Sequence, residues 1–421
     1  MSLSSPRGTS DIFGEEIKYR DFIISKAKDI FKVFNFKEII TPAFEYTELF
    51  DRGIGEGTDI VQKEMYTFAD KKGRSLTLRP EGTASVVRAI IENKLYAKDL
   101  PLKLFYIGNM FRYERPQKGR SREFWQVGVE VFGQSQPILD AEVIWLLNSF
   151  YKNLGFKNLK LLLNSIGCVE CRPSYIKSFK EYIKPRMDML CSDCRFRFDK
   201  SPLRIFDCKK DGCRKILEKA PKINDNLCDN CVRYFKSVKK YLDSLEIDYE
   251  IDSGMVRGFD YYSRTIFEII SLDIDSAQNA LAGGGRYDYL VKEFSGPDLP
   301  AVGFAIGLDR TIIQMKKLNI SVAETSKKKS TYIVTMKKDY YEYSLMVMRL
   351  LRDNNIICDL EYENKNIGPA IKKAEKLNYD YLMIIGDDEV KNNSITLKDI
   401  KKYKQYEIDL DNKNRLLEMM E

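Results

Sequence analysis

The chain has 421 residues, 44% of them hydrophobic, carries a net charge of +7 and contains no histidine. This length predicts two or three domains with a sizeable core. The lack of histidine excludes every mechanism that depends on an imidazole side chain, including Ser-His triads, Cys-His pairs and His-ligated zinc. No apolar run is long enough to span a bilayer, and the first residues lack a signal-peptide hydrophobic region. We therefore expect a cytoplasmic protein with no membrane partner.

The first hundred residues predict one helix, two strands and a second helix. Residues 16–34 carry apolar side chains at helical spacing, and residues 36–46 read as a strand that stops, or lies at a sheet edge, at Pro42. Residues 75–95 predict a short strand, a turn and a helix that begins at Thr83.

A long hairpin with a basic tip is predicted next. Residues 102–114 and 122–133 are strand-like, and the loop of residues 115–121 between them is polar and positively charged. A helix is expected over 139–155 and a strand over 159–167. These elements lead directly into a segment of unusual composition.

Residues 172–240 contain 19 Lys or Arg residues and 9 Asp or Glu residues, an excess of ten positive charges. This excess is larger than that of the whole chain, so the rest of the protein is slightly acidic. A concentrated basic segment without an amphipathic apolar stripe is typical of contact with a polyanion, here nucleic acid rather than membrane. The alternative is a lysine-rich solvated surface.

The cysteines are concentrated in the same part of the chain. In a cytoplasmic protein, Cys-x-x-Cys spacing indicates thiolate metal binding rather than disulfides. Three such pairs are Cys168/Cys171, Cys191/Cys194 and Cys228/Cys231, and Cys208 and Cys213 lie between the last two pairs. We predict one structural Zn²⁺ site with the ligands Cys191, Cys194, Cys228 and Cys231. The alternative is a set of reduced cysteines that bind no metal.

Two segments in the second half of the chain combine glycine with charged and aromatic residues. In a plain strand over 255–268, Tyr261 and Tyr262 point to opposite faces, so at most one of them faces a given pocket. The sequence "AGGGRYD" at 282–288 permits close backbone approach, but it lacks the context of a dinucleotide fold or a P-loop. A tight turn between strands is the alternative for this segment.

The C-terminal part has a different pattern. Residues 321–330 are small and charged and are predicted to be a linker. Over 331–421, strands and helices alternate, which predicts a small separate α/β domain with a largely parallel sheet.

Polar residues inside apolar strands indicate a buried site, because burying such groups without partners is costly. Taken one by one, each could be a surface position on a hairpin. Together they predict a deep site with fixed positive charges and carboxylates, suited to a substrate that is zwitterionic at one end and a polyphosphate at the other. The residues are Glu81, Arg112, Gln126, Glu130, Arg257 and Arg310.

These segments resemble those of class II aminoacyl-tRNA synthetases and, nearly from end to end, the histidyl-tRNA synthetase family. The matching segments are "PRGTSDIF" at 6–13, the three class II motifs at 36–50, 111–133 and 301–310, and the family-specific segments at 257–268 and 282–288. The resemblance implies an α+β fold: a class II catalytic domain with an antiparallel sheet over 1–320, a Cys-rich basic insertion at about 168–245, the linker at 321–330, and an α/β anticodon-binding domain over 331–421.

The same resemblance implies a role for each site residue. Three arginines would be catalytic: Arg112, Arg257 and Arg310. The residues implied to bind ATP are Arg112, Glu114, Phe124 and Arg310. Those implied to bind histidine are Glu81, Thr83, Gln126, Glu130, Arg257, Tyr261, Tyr262 and Tyr287. Gln117 and Arg120 in the hairpin loop are implied to contact tRNA.

The implied activity is ATP-dependent ligation of L-histidine to tRNA(His) through a histidyl-adenylate, with Mg²⁺, in a cytoplasmic homodimer. The alternative is a regulatory subunit of histidine biosynthesis, a synthetase-like protein without catalysis. That alternative predicts that the catalytic arginines are eroded and that the C-terminal domain is missing. This chain retains the three arginines and also residues 331–421. Two positions depart from the family pattern: Trp125 stands where many bacterial members have histidine, and Ser121 where an aromatic residue is common.

Overall fold

The computed structural model describes residues 3–55, 57–117, 119–273, 279–322, 329–363 and 366–420. The chain divides into two compact units, residues 1–322 and 323–421. Within the described ranges, every helix is too short or too polar to cross a bilayer.

The first unit is built around an eight-stranded sheet with a smaller three-stranded sheet beside it. Its strands are β1 (Lys37–Glu38), β2 (Phe44–Tyr46), β3 (Tyr66–Ala69), β4 (Ser75–Leu78), β5 (Leu102–Phe111), β6 (Glu123–Phe132), β7 (Leu159–Ser165), β8 (Glu250–Ile251), β9 (Ser263–Ser271), β10 (Ala280–Arg286) and β11 (Ala301–Gly307). Its helices are α1 (Glu15–Val33), α2 (Thr47–Ile54), α3 (Thr83–Glu92), α4 (Pro137–Asn153), α5 (Arg172–Ile183), α6 (Ser192–Lys200), α7 (Asp211–Glu218), α8 (Asp229–Ser244), α9 (Leu290–Glu293) and α10 (Leu308–Lys317).

The large sheet has the strand order β1-β5-β6-β11-β10-β9-β7-β8. Its six central strands pair antiparallel, and the short edge strands β1 and β8 pair parallel with β5 and β7. Alternation along β6 directs Val127, Val129 and Val131 into one core, together with apolar residues of α1 and α4. The opposite face of β6 presents Gln126 and Glu130, so the same alternation that forms the core also forms the site.

The three-stranded sheet, of order β2-β4-β3, has an apolar face. Cross-strand pairing aligns Phe44 with Leu78 and Phe68 with Leu76, so these side chains share one face. Phe44 and Phe68 are both exposed, with ring centroids 6.4 Å apart. An exposed aromatic face of this kind is typical of a protein–protein contact surface.

The insertion between β7 and β8 does not pack as a separate body. Helix α8 packs on α4 through the buried residues Tyr234, Val238 and Leu242, which belong to the main core. Helices α5 and α7 instead join a second core that also contains Tyr262 and Tyr287 of the predicted site. The insertion therefore contributes to the surroundings of the site.

The segment around the two adjacent tyrosines differs from the prediction. Strand β9 begins only at Ser263, and residues 255–262 form an irregular, turn-containing segment. Because the backbone is not extended there, Tyr261 and Tyr262 do not point to opposite sides, and both are buried in the same cavity. The plain-strand prediction, under which at most one of them faces a given pocket, is therefore wrong.

The second unit has a five-stranded sheet of order β13-β12-β14-β15-β16. Strands β13, β12 and β14 are parallel, but β14, β15 and β16 pair antiparallel, so the sheet is mixed rather than largely parallel. The strands are β12 (Thr331–Thr335), β13 (Cys358–Leu360), β14 (Tyr381–Ile385), β15 (Ser394–Asp399) and β16 (Gln405–Asp409), and the helices are α11 (Tyr341–Asp353), α12 (Ile367–Lys376), α13 (Asp387–Lys391) and α14 (Lys413–Met420). Residues 323–328 of the predicted linker lie outside the described residues.

Candidate active site

A cavity of about 750 Å³ lies against the large sheet of the first unit. With the exception of Gln117, all the residues predicted to contact substrates line it. The pocket face of β6 carries Phe124, Gln126, Gly128 and Glu130 in succession, and an antiparallel strand of that length spans about 20 Å. The cavity is therefore elongated, with Glu130 towards one end and Phe124 towards the other.

The carboxylate end of the cavity is formed by Glu81, Thr83, Glu130 and Tyr287. Thr83 Oγ1 donates a hydrogen bond to Glu130 Oε1 at 2.7 Å, and the Tyr287 hydroxyl donates to Glu130 Oε2. Burial raises the pKa of Glu130 to about 8, although both hydroxyl donors favour the ionised form. The carboxyl group is thus held in a single position by two donors and titrates near neutral pH.

Glu81 lines the cavity and also caps the first turn of α3. Its carboxylate accepts hydrogen bonds from the backbone N–H groups of Thr83 (2.6 Å) and Ala84 (2.8 Å), at the start of α3. These contacts satisfy donors that a helix N-terminus leaves free. Gln126, nearby on β6, has a buried side-chain oxygen without a hydrogen-bond partner among the described residues. An unsatisfied buried acceptor requires a donor, and a ligand ammonium group would supply one.

Three tyrosines form the aromatic wall of the cavity. The ring of Tyr261 lies 4.7 Å from that of Tyr262 and 5.5 Å from that of Tyr287, centroid to centroid. Burial raises the pKa of all three, so they remain neutral hydrogen-bonding groups. Tyr287 was predicted to wall the pocket, and in the structure it also holds Glu130.

The guanidinium end of the cavity is formed by Arg112, Arg120 and Arg310. Arg112 Nε donates to the carbonyl of Pro80 at 2.9 Å, and its guanidinium group lies 5.2 Å from the centre of the Phe124 ring. Arg310 Nε donates to the carbonyl of Gly119 at 3.1 Å. Burial and then the neighbouring Arg120 lower the pKa of Arg310, and an anion bound beside it would favour its charged form.

Arg257 lies between the two ends. Its guanidinium group bonds to Glu268, and it occupies the space that a Cβ atom of Gly283 would fill. Gly283 pairs with Ala305 of β11, which pairs with Gly128 of β6, so Arg257 lies over the row between Gln126 and Glu130. Burial acts to lower the pKa of Arg257, but Glu268 and other anionic partners outweigh it and raise the pKa.

Glycines in the pocket floor make room for functional side chains. A Cβ atom at Gly303 would overlap Glu130 Oε2, and one at Gly128 would overlap the Tyr106 ring. The three consecutive glycines 283–285 lie inside β10 rather than in a turn, so the turn alternative for this segment is wrong. Glycine is required here because neighbouring strands insert side chains across the floor.

Several cavity residues were not identified from the sequence. Tyr106 and Glu268 alternate within apolar strands, the same pattern that revealed Glu130, and could have been found in that way. Asp59, Glu64, Arg197, Arg204 and Asp207 also line the cavity. They lie in loops and short helices without periodicity: Asp59 and Glu64 in the segment between α2 and β3, and Arg197, Arg204 and Asp207 in the insertion, whose packing brings these three to the cavity. Arg197 donates to Asp59 Oδ2 at 2.6 Å.

In the hairpin loop, Gln117 and Arg120 form an antiparallel backbone pair. Their backbones exchange hydrogen bonds of 3.1 and 2.8 Å, and Arg120 Nη1 donates to Glu114 Oε2 at 3.2 Å. Gln117 does not line the cavity, whereas Arg120 does. Of the two residues predicted to contact tRNA, Arg120 therefore lies on the cavity wall, and Gln117 is its backbone partner outside the lining.

The cysteines group differently from the prediction. Cys191 and Cys194 lie with Cys208 and Cys213, whereas Cys228 and Cys231 lie with Cys168 and Cys171. The predicted four-ligand combination is therefore wrong. Spacing along the chain suggested that the last two Cys-x-x-Cys pairs meet, but the helices of the insertion bring each of them to a different partner pair.

Comparison with known proteins agrees with this geometry. A histidyl-tRNA synthetase family model matches residues 8–172 and 207–311, and an anticodon-binding domain model matches residues 330–418. Curated proteins described as histidine–tRNA ligases are 47% identical in Halothermothrix orenii, over 98% of each chain, and 46% identical in Bacillus subtilis, over 98% of this chain and 97% of the other.

Among solved structures, the fold matches the apo histidyl-tRNA synthetase of S. aureus with a TM-score of 0.83 and 36% identity, over 99% of this chain and 100% of the other. The predicted fold class is confirmed by this match. The full-length similarity to ligases favours the catalytic prediction over the regulatory subunit. The chain belongs to the histidyl-tRNA synthetase family of class II aminoacyl-tRNA synthetases.

Proposed function

We propose that the chain ligates L-histidine to tRNA(His) in two steps, with ATP as the second substrate and a histidyl-adenylate as the intermediate. One observation carries this proposal: a buried carboxyl group held by two hydroxyl donors lies in the same elongated cavity as three guanidinium groups. The carboxyl group suits an imidazole N–H donor, and the guanidinium groups suit a triphosphate. Because the carboxyl group and the guanidinium groups lie towards opposite ends of one cavity, histidine and ATP can bind together with their reacting groups between the two ends.

Histidine is bound at the carboxylate end. Glu130 accepts the N–H of the imidazole ring, and Tyr262 donates its hydroxyl hydrogen to the other ring nitrogen. The α-ammonium group is held by Gln126 and Glu81, with Thr83 beside them. An amino acid that cannot donate to Glu130 forfeits the hydrogen bond that the ligand adds to those of Thr83 and Tyr287, and a site built around such a bond discriminates strongly against analogues that lack it.

ATP is bound at the guanidinium end. Phe124 stacks on the adenine, Glu114 accepts a hydrogen bond from the adenine amino group, and Arg310 contacts the γ-phosphate. Arg112 holds the α-phosphate next to the histidine carboxylate. The attacking carboxylate is already an anion, so adenylation needs no general base. The protein accelerates this step by alignment and by placing Arg112 and Arg257 where negative charge develops on phosphorus.

Mg²⁺ is the metal that this reaction implies, and the cavity residues fit it. Glu64 and Glu114 both line the cavity, and burial together with the nearby charge of Glu114 raises the pKa of Glu64. Mg²⁺ prefers carboxylate, water and phosphate oxygens and retains several waters. Glu64 would hold the ion, directly or through water. Bound there, Mg²⁺ would neutralise charge on the β- and γ-phosphates.

In the second step, the terminal adenosine hydroxyl of tRNA attacks the activated carbonyl carbon, the bond from that carbon to the phosphate oxygen breaks, and AMP leaves. No histidine is present to act as a base, so a phosphate oxygen of the adenylate takes the proton. Gln117 and Arg120 contact the acceptor end of tRNA, and the basic insertion at about 168–245 binds its phosphates without reading bases. The domain over 331–421 reads the anticodon.

The chain acts as a cytoplasmic homodimer. The apolar face of the β2-β4-β3 sheet supports this assembly, because Phe44 and Phe68 are exposed side by side. The variant Phe68→Glu would place a charge in that face and is expected to shift the protein towards monomers in sedimentation experiments. A monomeric parent protein at micromolar concentration would contradict the assembly.

The proposed reaction is tested by histidine-dependent exchange of pyrophosphate into ATP. The parent protein is expected to be active with histidine alone among the standard amino acids. The variant Arg257→Ala is expected to lose activity by about two to three powers of ten, the typical effect of removing one group that stabilises transition-state charge. Histidine binding without exchange in the parent protein would overturn the proposal and indicate the regulatory alternative instead.

A further inference from the structure

Eight of the nine cysteines form two groups of four in the insertion and at its entry. The base cluster is Cys168, Cys171, Cys228 and Cys231, and the tip cluster is Cys191, Cys194, Cys208 and Cys213. All eight are free thiols, and none of them lines the substrate cavity. The proposed reaction therefore does not explain them.

The distances between sulfur atoms fit a tetrahedral metal ion. In the base cluster, Cys168 Sγ lies 3.7 Å from Cys171 Sγ and 3.8 Å from Cys228 Sγ, and Cys171 Sγ lies 3.8 Å from Cys231 Sγ. In the tip cluster, Cys191 Sγ and Cys208 Sγ are 3.8 Å apart. A tetrahedron with zinc–sulfur bonds of about 2.3 Å has sulfur–sulfur edges of about 3.8 Å. A disulfide would need sulfurs about 2.05 Å apart.

We propose that each cluster binds one Zn²⁺ ion through four thiolates, so that the chain holds two structural zinc ions. Four-thiolate sites without an open position are typical of structural rather than catalytic zinc. The two sites replace the single mixed site that the sequence suggested. The ninth cysteine, Cys358, is buried in the second unit and takes no part.

The two clusters share one local design. In each, a Cys-x-x-Cys pair begins a helix: Cys191 precedes α6 and Cys228 precedes α8, with almost identical backbone angles of φ −69°, ψ 164° and φ −67°, ψ 160°. A backbone N–H also points at sulfur in each cluster, from Cys168 to Cys171 Sγ at 3.1 Å and from Cys191 to Cys213 Sγ at 3.4 Å. Such donors stabilise thiolate charge.

The clusters also have space for the sulfur atoms and basic residues next to the cysteines in the chain. Gly167 has a φ of +68°, and a Cβ atom there would lie 2.6 Å from Cys171 Sγ. Four of the eight cysteines are followed directly by a basic residue, namely Arg172, Arg195, Lys209 and Arg214. A zinc ion with four thiolates carries a net charge of −2, which these neighbouring cations offset. Part of the positive excess of the insertion therefore has a structural use.

The base cluster joins the two ends of the insertion. Cys168 and Cys171 follow β7, whereas Cys228 and Cys231 begin α8, which returns the chain to the main core. Arg172, next to Cys171, donates to the backbone carbonyl of Tyr262 in the aromatic wall. An ion here closes a long loop, and closing a loop stabilises the fold by restricting the unfolded chain.

The tip cluster supports a wall of the cavity. It joins α6, α7 and the turn before Cys208, and this region carries Arg197 and Arg204. Arg197 bonds to Asp59, and Arg204 donates to the carbonyl of Gly258, next to Arg257. Loss of the tip ion would loosen this wall without removing any group that contacts the substrates. This consequence rests on the proposed function, whereas metal binding itself does not.

Metal content is the primary test. The full chain, purified without chelators or added metal, is expected to contain two equivalents of zinc per chain by elemental analysis. Protein expressed with Co²⁺ is expected to show the visible bands of tetrahedral tetrathiolate cobalt at the same stoichiometry. Less than one equivalent of metal, disulfides in place of thiolates, or stoichiometric iron instead of zinc would overturn the proposal, whatever the enzymatic activity.

Single substitutions distinguish the two sites. Cys191→Ser and Cys168→Ser are each expected to contain about one equivalent of zinc, and the matched control Cys358→Ser two equivalents. Cys168→Ser is expected to lower the melting temperature more than Cys191→Ser. Cys191→Ser is expected to raise the KM for ATP several-fold in pyrophosphate exchange. If each variant in one cluster lost both ions, the clusters would not be independent sites and the assignment would be wrong.

Discussion

The carboxylate end of the cavity and the cysteine-rich insertion are organised in different ways. At the carboxylate end, Glu130 is held by hydroxyl groups that arrive from α3 and from the residue after β10. In the insertion, turns and the first residues of helices bring thiols together in two groups of four. The first region is completed by the protein's own hydrogen bonds, whereas we propose that metal ions complete the second. Strand register sets which residues of β6 share the pocket face, whereas no regular pairing relates the thiols of the insertion to one another.

Small changes in the sheet floor should therefore be far more damaging than similar changes in the insertion. Gly283→Ala would place a methyl group where the Arg257 guanidinium lies, so we expect a loss of pyrophosphate exchange of about 100-fold or more. The matched control is Gly212→Ala in α7, where a Cβ atom meets nothing within 4 Å. The two variants should have similar circular dichroism spectra. If Gly283→Ala and Gly212→Ala were equally active, glycine at position 283 would not be needed to make room for Arg257.

Removing the charge of Glu130 should have the next largest effect, and this effect should depend on pH. The pKa of Glu130 is raised to about 8, and an imidazole N–H donor favours its ionised form. Histidine binding should therefore release a proton and tighten as the pH rises towards 8. The variant Glu130→Gln should have a KM for histidine about 10-fold to 100-fold higher, the cost of an imperfectly paired buried group.

The informative measurement is the KM for histidine of Glu130→Gln divided by that of the parent protein. The titration of free histidine affects both KM values equally, so this ratio reports the titration of Glu130 alone. That ratio should increase between pH 6.5 and pH 8 and level off above about pH 8.5, because Glu130 is then ionised before binding. A ratio that stays constant over this range would show that Glu130 does not titrate in the free enzyme.

The smallest effect on activity is expected at the contact between Arg197 of the insertion and Asp59, which lies between α2 and β3. Asp59→Asn removes the ion pair with Arg197, and Asp59 is about 40% exposed. Exposed ion pairs contribute less than about 1 kcal/mol, so the expected change is a two- to five-fold higher KM for ATP. The difference in KM between the parent protein and the variant should diminish at high salt, because salt screens the ion pair that only the parent protein has. A change above 50-fold would mean that this contact carries catalysis, and the contrast between the regions would fail.

The sequence was most informative where elements are regular. Alternation along β6 predicted that Gln126 and Glu130 share a face, and the helix from Thr83 begins at the predicted residue. It was least informative where the chain is irregular. Tyr261 and Tyr262 share a cavity because residues 255–262 turn, and no periodicity could reveal that. For the same reason, Asp59 and Arg197 were not identified.

By itself, the sequence determined the fold class, the family and the residue types of the site, because these follow from periodic patterns and from motifs that are local in the chain. Only the tertiary structure decided which cysteines meet, why glycines 283–285 are needed, and which residues of the insertion reach the cavity. The physical reason is that a thiol cluster or a Cβ-sized gap depends on atoms from distant segments meeting within a few ångströms. Spacing along the chain limits such meetings but does not select among them.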